Sequence, residues 1–276
     1  GVVANIEFPQ EAEPIHRFGG EGVGLYRTEF LYVNAAVEPD EETHFAAYRQ
    51  AVQNVGDLPI AIRTLDLGAD KFFQAELPQA KGDGGRSGDP QHEERNPFLG
   101  CRAIRYCLLH PEVLRRQIRA ICRVSALGDI KMMIPMVSTR EEVLQVRQMV
   151  AEIQEELAAK DVPFDPQMPV GIMVEVPSVA LTIEHFSDIC DFFSIGTNDL
   201  TQYVIAADRT NEHVAHLYRP GHPAVLRLIQ RVVEVGHQHR IPVSLCGEMA
   251  GDPTFVVFLL GLGLRIFSVS PPLIAR

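Results

Sequence analysis

Apolar residues along this chain gather in eight short runs of strand length: VVANIEF (2–8), VGLYRTEF (23–30), PIAIRTLDL (59–67), IKMMIPM (130–136), VGIMVEVP (170–177), DFFSIGTND (191–199), PVSLCGEM (242–249) and RIFSVS (265–270). Helical stretches lie between them. EETHFAAYRQAVQNVG (41–56) has apolar residues at helical spacing and a glycine, Gly56, to end it. Residues 100–128 are long enough for two segments, the second opening at Pro111. Residues 138–160 open on a capping-box pattern of Ser138 and Glu141. Residues 178–189, 222–240 and 252–263 continue the series, and a weaker segment, 9–20, fills the first crossover. Strands alternating with helices imply a parallel sheet. Eight such units imply one closed (β/α)8 TIM barrel over residues 1–276. The chain stops at PPLIAR, where an eighth helix is due, so the barrel is expected to lack its last helix.

In that fold the carboxyl ends of the strands converge on one face. Arg27, Arg63, Glu175, Asn198 with Asp199, and Cys246 stand where five of the runs stop. Glu175 and Asp199 end consecutive strands, about 4.8 Å apart in a sheet, so they can share one hard cation. Two carboxylates with positions left for substrate oxygens is how Mg2+ is usually held; the competing role is that one of them caps a helix. Arg27, Arg63 and Arg209 follow the second, third and sixth runs, and Arg102 and Arg105 lie one helical turn apart in GCRAIR. A guanidinium grips phosphate or carboxylate with two parallel hydrogen bonds. Each arginine alone is better explained as structural, in a rim ion pair of Arg27 with Glu29 and of Arg63 with Asp66. Together with the carboxylate pair they read as an anion clamp that Arg102 can join. Cys246 is either a buried structural thiol or an acid–base or nucleophilic group on the active face.

Other features add less. The glycines of GGEGVG (19–24) precede a strand, the wrong context for a phosphate loop, and are read as a helix-ending turn. His213, His216, His237 and His239 have no carboxylate at a metal-motif spacing and are read as surface or capping residues. Residues 79–95, rich in glycine and charge, form a surface insertion or a lid on the catalytic face.

A formal net charge of −11 disfavours binding to nucleic acid, though not to a small anion in a cleft. No run reaches the roughly 20 apolar residues of a membrane helix. Five scattered cysteines without a CxxC pair speak against a disulfide framework and for a reducing cytoplasm. A start without Met, directly in a strand, points to an excised or processed fragment.

The motifs GVGLYRTEFLY, IRTLDLGADK, ERNPFLGCRAIR, GIMVEVPS, DFFSIGTNDLTQYVIAADRTN and LCGEMAGDP, in this order, resemble the phosphoenolpyruvate-binding barrel of the Enzyme I family, the phosphoenolpyruvate–protein phosphotransferases of the bacterial sugar phosphotransferase system. Pyruvate phosphate dikinase and phosphoenolpyruvate synthase share parts of them, but GTNDLTQY followed by DRTN and HLY is more similar to Enzyme I. The resemblance implies that Arg27, Arg63 and Arg209 grip the phosphate, with Arg102, Asn198 and Lys71 as further substrate contacts. It implies Glu175 and Asp199 as Mg2+ ligands and Cys246 as proton donor. Ala69 replaces the glycine usual before the Asp–Lys of that motif. The implied reaction moves the phosphoryl group of phosphoenolpyruvate to a protein histidine and leaves pyruvate. The family's acceptor lies in a GGxxSH-like motif of an N-terminal domain, and this sequence has no such motif. That domain, a histidine-containing phosphocarrier protein and a homodimeric state are therefore expected of the full enzyme. The alternatives are an Mg2+-dependent lyase or aldolase acting on an enolate, for which three arginines are too many, and a sensing module that binds phosphoenolpyruvate without turnover.

Overall fold

The computed structural model describes residues 1–33, 35, 37–67 and 96–275. Eight parallel strands close into a barrel in sequence order, β1 pairing with both β2 and β8. They are β1 (Val2–Ile6), β2 (Val23–Tyr26), β3 (Ile60–Arg63), β4 (Ile130–Ile134), β5 (Val170–Val174), β6 (Phe193–Ile195), β7 (Val243–Leu245) and β8 (Ile266–Val269). The TIM-barrel reading therefore holds. β5 is buried at every position, as expected of a strand with side chains inside the barrel on one face and helices on the other. Leu25, Ala61, Met133, Met173, Phe192 and Cys246 pack together as one core cluster. A much larger apolar layer fills the rest of the core and includes buried residues of the outer helices.

Those helices are α1 (Ile15–Phe18), α2 (Glu41–Val55), α3 (Ile104–Leu109), α4 (Pro111–Ser125), α5 (Arg140–Ala158), α6 (Pro177–Leu181), α7 (Thr197–Ile205), α8 (Pro223–His239) and α9 (Pro253–Gly261). Pro111 does open a second helix after His110. Gly19, with φ of 80°, ends α1 in the left-handed region, so GGEGVG is the turn the sequence implied. Weak periodicity over 9–20 resolves into a 3-10 turn at Pro9–Ala12 and the single turn of α1. After β8 comes a 3-10 turn at Pro271–Leu273, with no α-helix beyond it among the described residues. None of the described helices is long and apolar enough to cross a membrane.

Three local expectations shift. The cap of α5 sits one residue later than expected: Thr139 takes the extended N-cap conformation, and the Glu142 carboxylate accepts the Ser138 and Thr139 N–H groups at 2.6 and 2.9 Å. The 178–189 helix breaks into α6 and a 3-10 turn at Ile183–Phe186. The run 191–199 is a strand only to Ile195; Gly196 ends it and Thr197 starts α7. Asp199 thus comes from the first turn of a helix rather than from a strand end.

Candidate functional site

The carboxyl ends of the strands open into a pocket of about 700 Å³. Arg27, Arg63, Arg102, Glu175, Asn198, Asp199, Arg209 and Cys246 all line it, so every site residue expected from sequence that lies within the described residues comes to one place. Lys71 and the 79–95 insertion lie outside the described residues. His213 and His216 are exposed and do not line the pocket.

Charges in the pocket are paired across loops. Arg63, the last residue of β3, holds Asp66 Oδ2 through Nη1 at 2.9 Å and Glu29 Oε1 through Nη2 at 3.1 Å. Arg102 Nη2 meets Asp66 Oδ1 at 2.7 Å and Asp199 Oδ2 at 3.7 Å, and Arg209 Nη1 meets Asp199 Oδ1 at 3.0 Å. The expected Arg63–Asp66 pair is present. The Arg27–Glu29 pair is not: Arg27 Nη1 turns to Glu7 Oε1 at 3.1 Å. Glu29 is already committed, because its Oε1 also accepts the Asp66 backbone N–H at 3.0 Å.

These contacts shape the titration of the site. Burial alone would raise the carboxyl of Asp66, but Arg63 and Arg102 outweigh it and hold Asp66 below the ordinary aspartate range. Glu175 goes the other way. Burial, then the neighbouring Asp199 and Asp66, push it well above the usual glutamate range against the pull of Arg63. Glu175 makes no ion pair within 4.0 Å among the described residues; its Oε1 accepts the Met136 N–H at 2.7 Å. One carboxylate oxygen each from Asp66, Glu175 and Asp199 lie within 4.8 Å of one another, and all three residues are buried. An all-oxygen donor set suits a hard divalent cation. A cation there would answer the crowding that Glu175 alone leaves uncompensated, so the residues present fit Mg2+. Asp66, whose two oxygens are held by guanidinium groups at 2.9 and 2.7 Å against 3.0 and 3.7 Å for Asp199, is the member least available to it.

Cys246 follows β7 directly. Its N–H donates to the Ile195 carbonyl of β6 at 3.0 Å, and its own carbonyl accepts from Asn5 Nδ2 of β1 at 3.0 Å, so its backbone is fixed from two strands of the barrel. Burial pushes the thiol above its ordinary range, which keeps it protonated at neutral pH, and the thiol donates to the Ile195 carbonyl at 3.6 Å. Two glycines make room for this geometry. A Cβ on Gly196 would stand 2.8 Å from Glu175 Oε2, and one on Gly247 would stand 1.8 Å from Thr197 Oγ1. Asn198 is bound to the β7 loop: its Oδ1 accepts the Glu248 N–H at 2.9 Å.

Sequence reasoning gave Asp66 and Glu29 only as ion-pair partners and left out Met173 and Glu7, which also line the pocket. The signal for Asp66 was its place three residues past Arg63 in RTLD, still at the rim of the third strand.

The whole chain, residues 1–276, matches the family model described as PEP-utilising enzyme, PEP-binding domain. A phosphoenolpyruvate-protein phosphotransferase of Geobacillus stearothermophilus is 44% identical over 269 residues, covering 98% of this chain and 44% of the relative. Its counterpart in Bacillus subtilis (strain 168) is 44% identical over 269 residues, covering 98% of this chain and 45% of the relative. The chain thus spans less than half the length of these curated relatives. A crystal structure of an HpcH/Hpal aldolase/citrate lyase family protein from Burkholderia cenocepacia superposes with a TM-score of 0.59 at 14% identity, covering 99% of this chain and 88% of that one. At that identity the likeness is one of fold alone.

Proposed function

The chain belongs to the family of PEP-utilising enzymes, of which it is the PEP-binding domain, and on that premise we propose that it binds phosphoenolpyruvate and passes the phosphoryl group to a protein histidine, leaving pyruvate. The observation that carries the reading is the joining of Arg27, Arg63, Arg102 and Arg209 with three crowded carboxylates and a protonated thiol in one pocket. Phosphoenolpyruvate carries a phosphate and a carboxylate, and four guanidinium groups from separate loops answer both. A pyruvate-type lyase needs to hold only the carboxylate.

Catalysis would rest on positioning and electrostatics. Arg27, Arg63 and Arg209 orient the phosphoryl oxygens, and Arg102 with Asn198 holds the rest of the substrate. Lys71, outside the described residues, is proposed as a further contact. Glu175 and Asp199 would hold Mg2+, which when bound supplies Lewis-acid stabilisation of charge on the substrate oxygens. The P–O bond breaks as a P–N bond forms to the acceptor imidazole. The methylene carbon of the departing enolate takes the Cys246 proton, and the thiolate regains one from water. The acceptor histidine is assigned to a separate N-terminal domain, with a histidine-containing phosphocarrier protein downstream, serving sugar uptake in the cytoplasm as a homodimer.

The test is to incubate the chain with labelled phosphoenolpyruvate and Mg2+, with and without an Enzyme I N-terminal domain added as a second polypeptide. Acid-labile label on the added domain, with equimolar pyruvate, is the expected result. Label on this chain alone would move the acceptor into the barrel. Failure of calorimetry to detect phosphoenolpyruvate binding would overturn the reading.

A further inference from the structure

A continuous chain of buried side chains runs from the outer helices to the back of the site. At its centre is Gln117 of α4, with 0% exposure. Gln117 Oε1 accepts the Leu65 N–H at 2.9 Å, and Nε2 donates to Thr28 Oγ1 and to the Tyr48 hydroxyl, both at 3.0 Å. Thr28 Oγ1 donates onward to the Arg63 carbonyl at 3.1 Å. On the other side, His44 of α2 lies with Nδ1 2.8 Å from the Tyr48 hydroxyl and Nε2 3.1 Å from the Tyr32 hydroxyl.

Counting donors and acceptors fixes the orientation of the Gln117 amide. A backbone N–H only donates, so the amide oxygen of Gln117 must face Leu65 and the NH2 must face the two hydroxyls. Both N–H bonds of that NH2 are then used. Tyr48, having accepted one, is tied in turn to His44 Nδ1, and His44 Nε2 is tied to Tyr32. Thr28, having accepted the other, gives its proton to Arg63. Leucine or methionine at 117 would leave the Leu65 N–H without its acceptor, which is costly in a buried setting.

The attachment points matter because of what lies beside them. Thr28 follows Arg27 and precedes Glu29; Leu65 stands between Arg63 and Asp66. Gln117 therefore grips, from behind the pocket wall, both loops that carry the Arg63–Glu29–Asp66 cluster, while it does not line the pocket itself. A residue that served only to fill the core between α2 and α4 would not need three directed hydrogen bonds to two active-site loops. We propose that Gln117 is a positioning residue: by clamping Thr28 and Leu65 it sets the register of Arg27 and Glu29 against Arg63 and Asp66, and so the shape of the phosphate grip. The ligand in this inference rests on the phosphoenolpyruvate reading; the clamp itself does not.

The test compares Gln117→Met, which keeps length and removes all three hydrogen bonds, with Ile121→Val, which trims a fully buried side chain one turn along α4. Two readouts are taken well below each variant's Tm: the calorimetric Kd for phosphoenolpyruvate with Mg2+, and the 15N-detected signal and proton exchange of the Arg63 Nε–H without ligand. Gln117→Met should weaken phosphoenolpyruvate about tenfold and shift or broaden the Arg63 signal. Ile121→Val should leave both near wild type whatever it does to Tm. Wild-type affinity and an unmoved Arg63 signal in Gln117→Met would overturn the clamp, as would equal changes in Ile121→Val at equal loss of Tm. If wild type fails to bind phosphoenolpyruvate, the functional reading falls and the ligand-free Arg63 signal decides the clamp alone. If Gln117→Met does not fold, Thr28→Val cuts one arm of the clamp and must move the same signal.

Discussion

Arg63 and Asp66, three residues apart at the end of β3, hold each other at 2.9 Å, yet neither belongs to the other alone. Arg63 also holds Glu29, and Asp66 also holds Arg102. The same guanidinium groups that suit a phosphate are thus occupied by carboxylates. An anion that enters competes with those carboxylates for the same guanidinium groups, and a buried carboxylate that loses its partner is stabilised by a cation. Anion and Mg2+ should therefore each favour the other.

It follows that Mg2+ tightens phosphoenolpyruvate binding and phosphoenolpyruvate tightens Mg2+ binding by the same factor, as linkage requires. Glu175→Gln and Asp199→Asn should each remove most of that coupling. Calorimetry of each ligand in the presence and absence of the other measures it. Coupling that persists undiminished in both variants would place the cation elsewhere.

Cys246→Ala should retain phosphoenolpyruvate affinity within a few-fold, while pyruvate formation in the reconstituted system falls by about 10²–10⁴. The backbone of Cys246 is held by Ile195 of β6 and Asn5 of β1, so removal of the thiol leaves the wall standing. Turnover at the wild-type rate would hand the proton to another group.

Gly247→Ala should cost about 1–3 kcal/mol of stability through overpacking, since its Cβ would fall 1.8 Å from Thr197 Oγ1 and 2.8 Å from Thr197 N. The strain falls on the first turn of α7, two residues before Asp199, so Mg2+-dependent binding should weaken as well. Urea unfolding and calorimetry on the same sample check both parts; an unchanged midpoint would mean that the turn yields freely.

The barrel and its pocket were legible because strand ends are marked by where an apolar run meets a reactive residue. Arg27, Glu175 and Cys246 each stand one residue past a strand, and Arg63 is the last of one. Asp199 was placed on the wrong kind of element because DFFSIGTND reads as one run, and only Gly196 inside it signals the break into α7. Asp66 was seen as a partner and missed as a third acid, since burial is what turns a rim carboxylate into part of a cluster, and burial depends on loops folding over it. Gln117 interrupts the apolar stripe of Val113, Leu114, Ile118 and Ile121, which marks it as a polar group on the buried face of its helix. The hydroxyls and the backbone N–H that it meets there come from other elements and leave no local mark in the sequence.

The last prediction concerns His44, at the far end of the Gln117 chain. Burial lowers its pKa from the usual 6.5 to about 4, with Arg116 adding to the effect and Asp40 opposing it. Between those two values the unfolded chain binds a proton that the folded chain refuses. Stability must then fall as pH drops through that window, and rise as pH increases through it. A shift of this size corresponds to about 3 kcal/mol in full, of which about 2 kcal/mol is lost by pH 5. Protonated at both nitrogens, the buried ring could only donate to Tyr48 and Tyr32 and would carry its charge away from water. His44→Gln has no such titration. Urea unfolding of both proteins at pH 7 and pH 5 should show wild type losing about 2 kcal/mol more than the variant, with all other titrating groups cancelling in the difference. Parallel losses in the two proteins would mean that His44 takes up its proton in place.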